Sequence, residues 1–124
     1  MPGKAAQTHF RVRRAYDDPA PDDGVRVLVD RLWPRGLAKE RAEVDEWPKE
    51  LTPSDELRRW YHAHPEEYDE FASRYRVELT DPGMAEATGR LREEAAHGPV
   101  TLLTAVKDPE LSHVPVLLDH LRGR

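Results

Sequence analysis

Eight residues, Val25-Arg26-Val27-Leu28-Val29-Asp30-Arg31-Leu32, run directly into Trp33-Pro34-Arg35-Gly36, and this junction constrains the fold more than any other part of the chain. The first stretch is rich in β-branched residues and nearly continuous in apolar character, which suits a central strand covered on both faces. Proline removes an amide donor and glycine is conformationally permissive, so neither a ladder nor a helix continues through Pro34 and Gly36. The chain must therefore turn at the end of a buried strand, in a loop that carries tryptophan and arginine.

A second apolar run, Val100-Thr101-Leu102-Leu103-Thr104-Ala105-Val106, reads as another buried strand. Nearer the start, Phe10 and Val12 alternate with Arg11 and Arg13 in the pattern of a half-buried strand, which stops at Tyr16-Asp17-Asp18-Pro19. Helical signals fill the space between the two buried runs. Leu37 to Trp47 carries a sparse apolar face of Leu37, Val44 and Trp47 and ends at Pro48. Thr52-Pro53-Ser54-Asp55 predicts a start with Thr52 as cap, Pro53 as first helical residue and Asp55 reaching back, followed by Leu57, Trp60 and Tyr61 on one face. His64-Pro65-Glu66-Glu67 opens the clearest amphipathic helix, with Tyr68, Phe71, Ala72, Tyr75 and Leu79 on its apolar face. Asp81-Pro82-Gly83 opens the next, with Met84, Ala87, Leu91 and Ala95 inward and a stop at His97-Gly98. Ser112 is placed to cap a last helix bearing Val114, Leu117, Leu118 and Leu121, with Pro115 tolerable in its first turn.

Strands separated by helices predict an α/β fold: a small, mostly parallel sheet of about three strands flanked by helices. The long helical connection from Arg31 to Val100 allows those two strands to be parallel with a right-handed crossover. About seven residues, Asp18 to Gly24, join the first strand to the second. Parallel neighbours usually need a crossover of about a dozen residues or more, so loop length alone makes the first strand antiparallel. At 124 residues the chain supports one core, read as a single domain over residues 8–124 behind a frayed segment at 1–7.

Composition narrows the chemistry. The chain has no cysteine, which excludes disulfides, thiolate metal sites and thiol nucleophiles. Its 24 acidic against 19 basic side chains give a net charge of −5, unlike the strongly basic footprint of a dedicated nucleic-acid binder. No apolar run approaches the roughly 18 residues of a membrane span, so the expectation is a soluble, cytoplasmic protein with no membrane partner. Oligomeric state is left open.

In open α/β sheets, ligands bind beyond the carboxyl ends of the parallel strands. Here those ends are Asp30 to Gly36 and Lys107 to His113, two polar loops placed on one edge. Asp30, Asp108 and His113 are the candidate catalytic groups, His113 because an imidazole titrates near neutrality. Arg31, Trp33, Arg35, Lys107 and Ser112 are the candidate ligand-binding groups: fork-shaped donors, a stacking face, a point cation and a helix start with free amides. Together they suit a phosphate or carboxylate, for binding alone or with chemistry. The plainer alternative has Asp30 and Arg31 as an ion pair fastening the Trp33 loop, with His113 as a packing or capping residue.

Other constellations are weaker. His62 and His64 stand two apart, a spacing that puts them on different helix faces, and no third ligand has a telling position, so no metal is expected. No glycine-rich phosphate loop or dinucleotide fingerprint is present, and no cofactor is implied. Arg11, Arg13 and Arg14 form the basis of a rival reading, a non-catalytic module that binds protein or nucleic acid through an arginine-rich surface. On a strand, such residues more often make a solvated face. The aromatic stripe Trp47, Trp60, Tyr61, Tyr68 and Phe71 reads as core.

Several segments together resemble one family. Arg26 to Leu37, with Tyr16-Asp17, Asp23-Gly24, Lys39-Glu40, Pro53-Ser54, Trp60-Tyr61, Glu78-Leu79 and Val100 to Leu103, look like the domain of unknown function 488 family in its YeaO-like branch. The resemblance covers nearly the whole chain, and its Val-Asp-Arg-Leu-Trp-Pro-Arg-Gly segment at 29–36 is its most specific part. It implies a compact α/β domain whose first strand runs parallel after a shortened crossover, and it implies no activity. Members tend to have His-Asp-Pro where this chain has Ala63-His64-Pro65, and Asn-His or Cys-His where it has Ser112-His113. Thiol chemistry in distant relatives therefore has no counterpart here.

Overall fold

The computed structural model describes residues 9–123, so the segment 1–7 expected to fray lies outside the described residues. Three strands form one sheet in the order β1-β3-β2: β1 is Phe10–Arg14, β2 is Val25–Leu28 and β3 is Val100–Thr104. Both pairings are parallel, with Phe10 and Val25 each opposite Val100. The small parallel sheet flanked by helices is thus the expected α/β architecture. Five α-helices are seen among the described residues: α1 Lys39–Ala42, α2 Asp55–Ala63, α3 Tyr68–Leu79, α4 Ala85–His97 and α5 Val114–Leu121.

The first strand corrects the loop-length argument. β1 and β2 are not neighbours, because β3 lies between them, and residues 15–24 return along the sheet without any helix. A strand of about five residues spans only some 16 Å, within reach of so short a link when extended. Charge holds the link down. Register puts Arg11, Arg26 and Thr101 side by side on one face, and all three bind the turn at Asp22-Asp23. Arg11 pairs with Asp22, Arg13 and Arg26 pair with Asp23, and the Thr101 hydroxyl donates to the Asp23 carbonyl at 2.6 Å. Asp23 and Arg26 are both buried, and the Arg26 guanidinium also donates to Ala42 O. Burial pushes the Asp23 carboxyl up, but hydrogen bonds from the Ala20 amide and Arg26, with the charges of Arg26 and Arg13, bring it net below its ordinary value. Gly24 follows at φ +66°, where a side chain would collide with Pro99 O.

The other face of the sheet carries the main core. Phe10, Val27, Val100 and Leu102 meet the apolar stripes of α2 to α5, with Tyr75, Leu91 and Leu117 fully buried among them. A smaller cluster of Ala15, Leu28, Leu37, Ala42 and Leu103 lies on the face that also bears Thr101, partly covered by Trp33 and Trp47.

Several local expectations change, among them the end of β3 at Thr104 rather than Val106 and the start of α3 at Tyr68 rather than at His64-Pro65. Strand β2 ends at Leu28 rather than Leu32, because Asp30 and Arg31 leave the ladder and Leu32 stands 65% exposed. The helix expected over Leu37 to Trp47 is a single turn, α1, closed by Glu43 in the left-handed region at φ 48°. Beyond it the chain runs beside β2, where Glu46 O accepts Leu28 N at 2.9 Å, so sheet hydrogen bonds replace the helical ones. The cap of α2 is Ser54, whose Oγ accepts Leu57 N, while Thr52 donates its hydroxyl to Lys49 O. The cap position of α5 is held by His113, without a side-chain cap bond, and Ser112 stands one residue ahead of it with its Oγ accepting Val114 N at 3.1 Å.

Candidate functional site

The carboxyl ends of β2 and β3 open on a cleft of about 660 Å³. Its walls include Asp30, Arg31, Trp33, Arg35, Lys107, Asp108, Ser112 and His113, so all eight residues singled out from the sequence face one space. Tyr16, Leu32, Pro34, Pro53, Tyr61, Phe71, Ala105, Val106 and Leu111 give it a largely apolar lining, and Arg58 and His62 complete its polar rim.

Asp30 is the hub of the sheet edge. Its two carboxylate oxygens accept the Thr104 hydroxyl and the Ala105 amide, each at 2.7 Å, and its carbonyl accepts the Trp47 indole N–H at 2.7 Å. Arg31 does not pair with it, contrary to the ion pair considered above. Arg31 Nε instead meets Asp55 Oδ1 at 2.9 Å, and Asp55 also takes Arg58 at 3.4 Å. The start of α2 thereby draws Arg31 across the cleft. Trp33 is held by its indole N–H on Leu37 O at 2.7 Å and by an edge contact with Trp47 at 5.5 Å.

His113 is buried at the start of α5. Its Nε2 lies 2.7 Å from Val29 O and 3.5 Å from Asp30 Oδ1. A carbonyl only accepts, so Nε2 carries the proton and Nδ1 is the ring's lone-pair nitrogen. Burial holds the imidazole below its ordinary value, against the opposing pull of the Asp30 carboxylate and the Val29 carbonyl, so the ring is neutral at neutral pH. Ser112 donates to Pro109 O at 2.6 Å and accepts Val114 N, so its hydroxyl serves the loop. The hydroxyls of Tyr61 and Tyr68 donate to Leu111 O and Ser112 O, both at 2.8 Å, and tie this loop to α2 and α3. Burial, with the nearby Asp108 charge, pushes the Tyr61 phenol up.

Arg35 and Lys107 differ from these anchored groups. Both are exposed, and neither forms an ion pair among the described residues. The cleft therefore holds four cations, Arg31, Arg35, Arg58 and Lys107, against Asp30 and Asp108, with Asp55 offsetting part of the charge on Arg31 and Arg58.

Sequence reasoning missed Tyr16, Arg58, Tyr61, His62, Phe71 and Leu111 as lining residues. A signal existed for three of them: Arg58, Tyr61 and His62 fall three and four apart, hence on one face of α2. Tyr16 had none, because its placement depends on the link to β2, where its hydroxyl donates to Arg35 O at 2.9 Å. Arg11, Arg13 and Arg14 lie elsewhere. The first two pair with Asp22, Asp23 and Asp17, and Arg14 donates to the carbonyls of Ala105 and Val106. Among the described residues, no three His, Cys, Asp or Glu side chains gather as a metal site, and no helix is long and apolar enough to cross a membrane.

Comparison with known proteins places this site in a family context. A family model described as "Inactive DUF488-N3 subclade" matches residues 9–124. The uncharacterized protein Rv3073c of Mycobacterium tuberculosis is 48% identical over 118 residues, covering 95% of this chain and 98% of that protein. The uncharacterized protein YeaO of Escherichia coli K12 is 43% identical over 116 residues, covering 93% and 98% respectively. No solved structure matches. On these matches, and with the fold that the resemblance implied, the chain belongs to the DUF488 family among its YeaO-like members.

Proposed function

We propose that the protein binds a small anionic molecule, through a phosphate or carboxylate group, in the cleft at the strand ends. One observation carries the reading: Arg35 and Lys107 are cations without acidic partners among the described residues, on the rim of a cleft large enough for a small molecule. Arg31 adds a planar fork of donors, part of which is already held by Asp55. Free cations facing a concave apolar surface favour an anion, because low-dielectric walls strengthen the attraction.

The reading is of binding, with chemistry secondary. Both Asp30 oxygens and the His113 Nε2 proton are already engaged by Thr104, Ala105 and Val29. The matching family model is described as an inactive subclade, which agrees with a retained cleft and no reaction. A catalytic role for His113 and Asp108 would rest on the Nδ1 lone pair and an exposed carboxylate.

Isothermal titration against inorganic phosphate, small carboxylates and nucleotides tests the proposal. Replacing Arg35 and Lys107 by Ser should weaken any binding found by about tenfold or more at low salt, with little change in stability. Unchanged affinity in the double variant, or in Arg31→Ala, would remove the anion from this cleft.

A further inference from the structure

We infer that the anion is carried on a flat aromatic ring, so that the ligand is an aromatic carboxylate or phosphate rather than a bare anion. The inference rests on the reading of the cleft as an anion site and extends it to the rest of the ligand. The cleft's size is the first reason: at about 660 Å³ it has the volume of a site for an organic molecule. A free phosphate would occupy only the rim near Arg35 and Lys107 and leave the apolar wall wet. The second reason is the identity of that wall. Tyr16, Trp33, Tyr61 and Phe71 supply four aromatic rings to one space, and ring faces and edges favour another ring beyond simple area burial.

Exposure supplies a third, independent reason. Among the large apolar side chains that are exposed, Tyr16 at 43%, Leu32 at 65% and Leu111 at 53% all line this cleft. Apolar groups gathered at the mouth of a concave site mark a surface that a ligand covers. The rings are also set in place before any ligand arrives. The Trp33 indole is hydrogen-bonded to Leu37 O, Tyr61 stacks on Phe71 at 4.3 Å, and the Tyr16 hydroxyl is fixed on Arg35 O. A preformed aromatic wall lowers the ordering cost on binding and favours a rigid, flat ligand over a flexible chain.

Four probes separate the possibilities: indole-3-carboxylate, uncharged indole, octanoate and inorganic phosphate, each titrated into the full chain at one ionic strength. Indole-3-carboxylate should bind about tenfold or more tightly than each of the other three. Tyr16→Ala should weaken indole-3-carboxylate severalfold more than it weakens phosphate, and the Trp33 indole N–H resonance should shift on adding the carboxylate. That resonance keeps the test readable should Tyr16→Ala fail to fold. Phosphate or octanoate binding as tightly as indole-3-carboxylate overturns the aromatic ring and leaves the anion site standing. Indole binding as tightly as its carboxylate overturns the anion site itself, as does the failure of all four probes.

Discussion

Thr104, the last residue of β3, donates its hydroxyl to Asp30 Oδ1 at 2.7 Å and so ties the end of the central strand to the loop that follows β2. Thr104 is fully buried, and the same carboxylate takes the Ala105 amide through its second oxygen. The two loops of the cleft are therefore joined at their roots, before either reaches solvent. Asp30→Asn puts an amide donor against one of these donors and should lower stability by about 2 kcal/mol, while Thr104→Val should lower it by about 1 kcal/mol. In a double-mutant cycle by chemical denaturation, the pair should show a coupling of about 1 kcal/mol. Additive effects would mean that the contact does not hold the loops together.

Gly24 ends the crossover link in a conformation that suits glycine. At φ +66° any side chain is strained, and a Cβ there would collide with Pro99 O, a backbone atom that cannot rotate away. Gly24→Ala should lower stability by about 2 kcal/mol or more, from left-handed strain together with displacement of the Val25 N to Pro99 O bond. Thermal unfolding checks it, and a variant as stable as the parent would show that the link sits elsewhere.

Glu94 gives the protein a pH response of unusual sign for a carboxylate. Burial raises it first, and a shared hydrogen bond and repulsion with Glu46 raise it further, to about 7, despite the Arg90 guanidinium that Glu46 binds at 2.9 Å. Asp45 adds to the repulsion. A folded value above the unfolded 4.5 means that the folded state holds the extra proton, so this stability is full below pH 4.5 and is lost as pH rises through 7. Glu94→Gln should therefore be more stable than the parent at pH 8, by on the order of 1 kcal/mol, and about equal at pH 4.5. Denaturation midpoints at both values decide it; a variant less stable at pH 8 would contradict the sign.

His113 acts in the opposite direction. Its folded value lies below the ordinary 6.5, chiefly through burial, so the unfolded chain binds the proton first. Its contribution is full above pH 6.5 and is lost as pH falls from there through the folded value. His120, lowered by burial and by Arg92, acts with the same sign. His113→Gln should flatten the loss of stability between pH 7 and 5, measured against its own value at pH 7.5. An unchanged slope would mean that the imidazole is not held neutral.

Much of this arrangement was legible from residue order, and the failures share a cause. The run ending in Trp33-Pro34-Arg35-Gly36 marked a strand and a turn, and the pattern Tyr68, Phe71, Ala72, Tyr75, Leu79 is the buried face of α3. Both are local, set by side-chain period and by proline and glycine. The Leu37 to Trp47 helix failed because Glu46 O is taken by Leu28 N, a sheet contact between distant parts of the chain that no local propensity reports. The loop-length argument for β1 failed for a related reason, because the crossover rule was applied to neighbours whereas β3 stands between β1 and β2, and the parallel direction that the family resemblance implied is the one found. A usable hint was present in Arg11 and Arg13, two apart on one strand face, with Asp22 and Asp23 waiting in the turn. In the cleft, the two polar loops were legible because parallel strands end on one edge. The contributions of Tyr16 and α2 were not, because they depend on how separate elements pack.

The most direct measurement is an amide chemical-shift map of the full chain during titration with indole-3-carboxylate. The expected result is a saturable set of shifts confined to the cleft lining, at Tyr16, residues 30–35, Arg58, Tyr61, His62, Phe71 and residues 105–113, with the Trp33 indole N–H, and its loss when Arg35 and Lys107 are replaced by Ser. Shifts spread over the helical surface, or centred on Arg11 and Arg13, would contradict an anion-binding cleft at the strand ends.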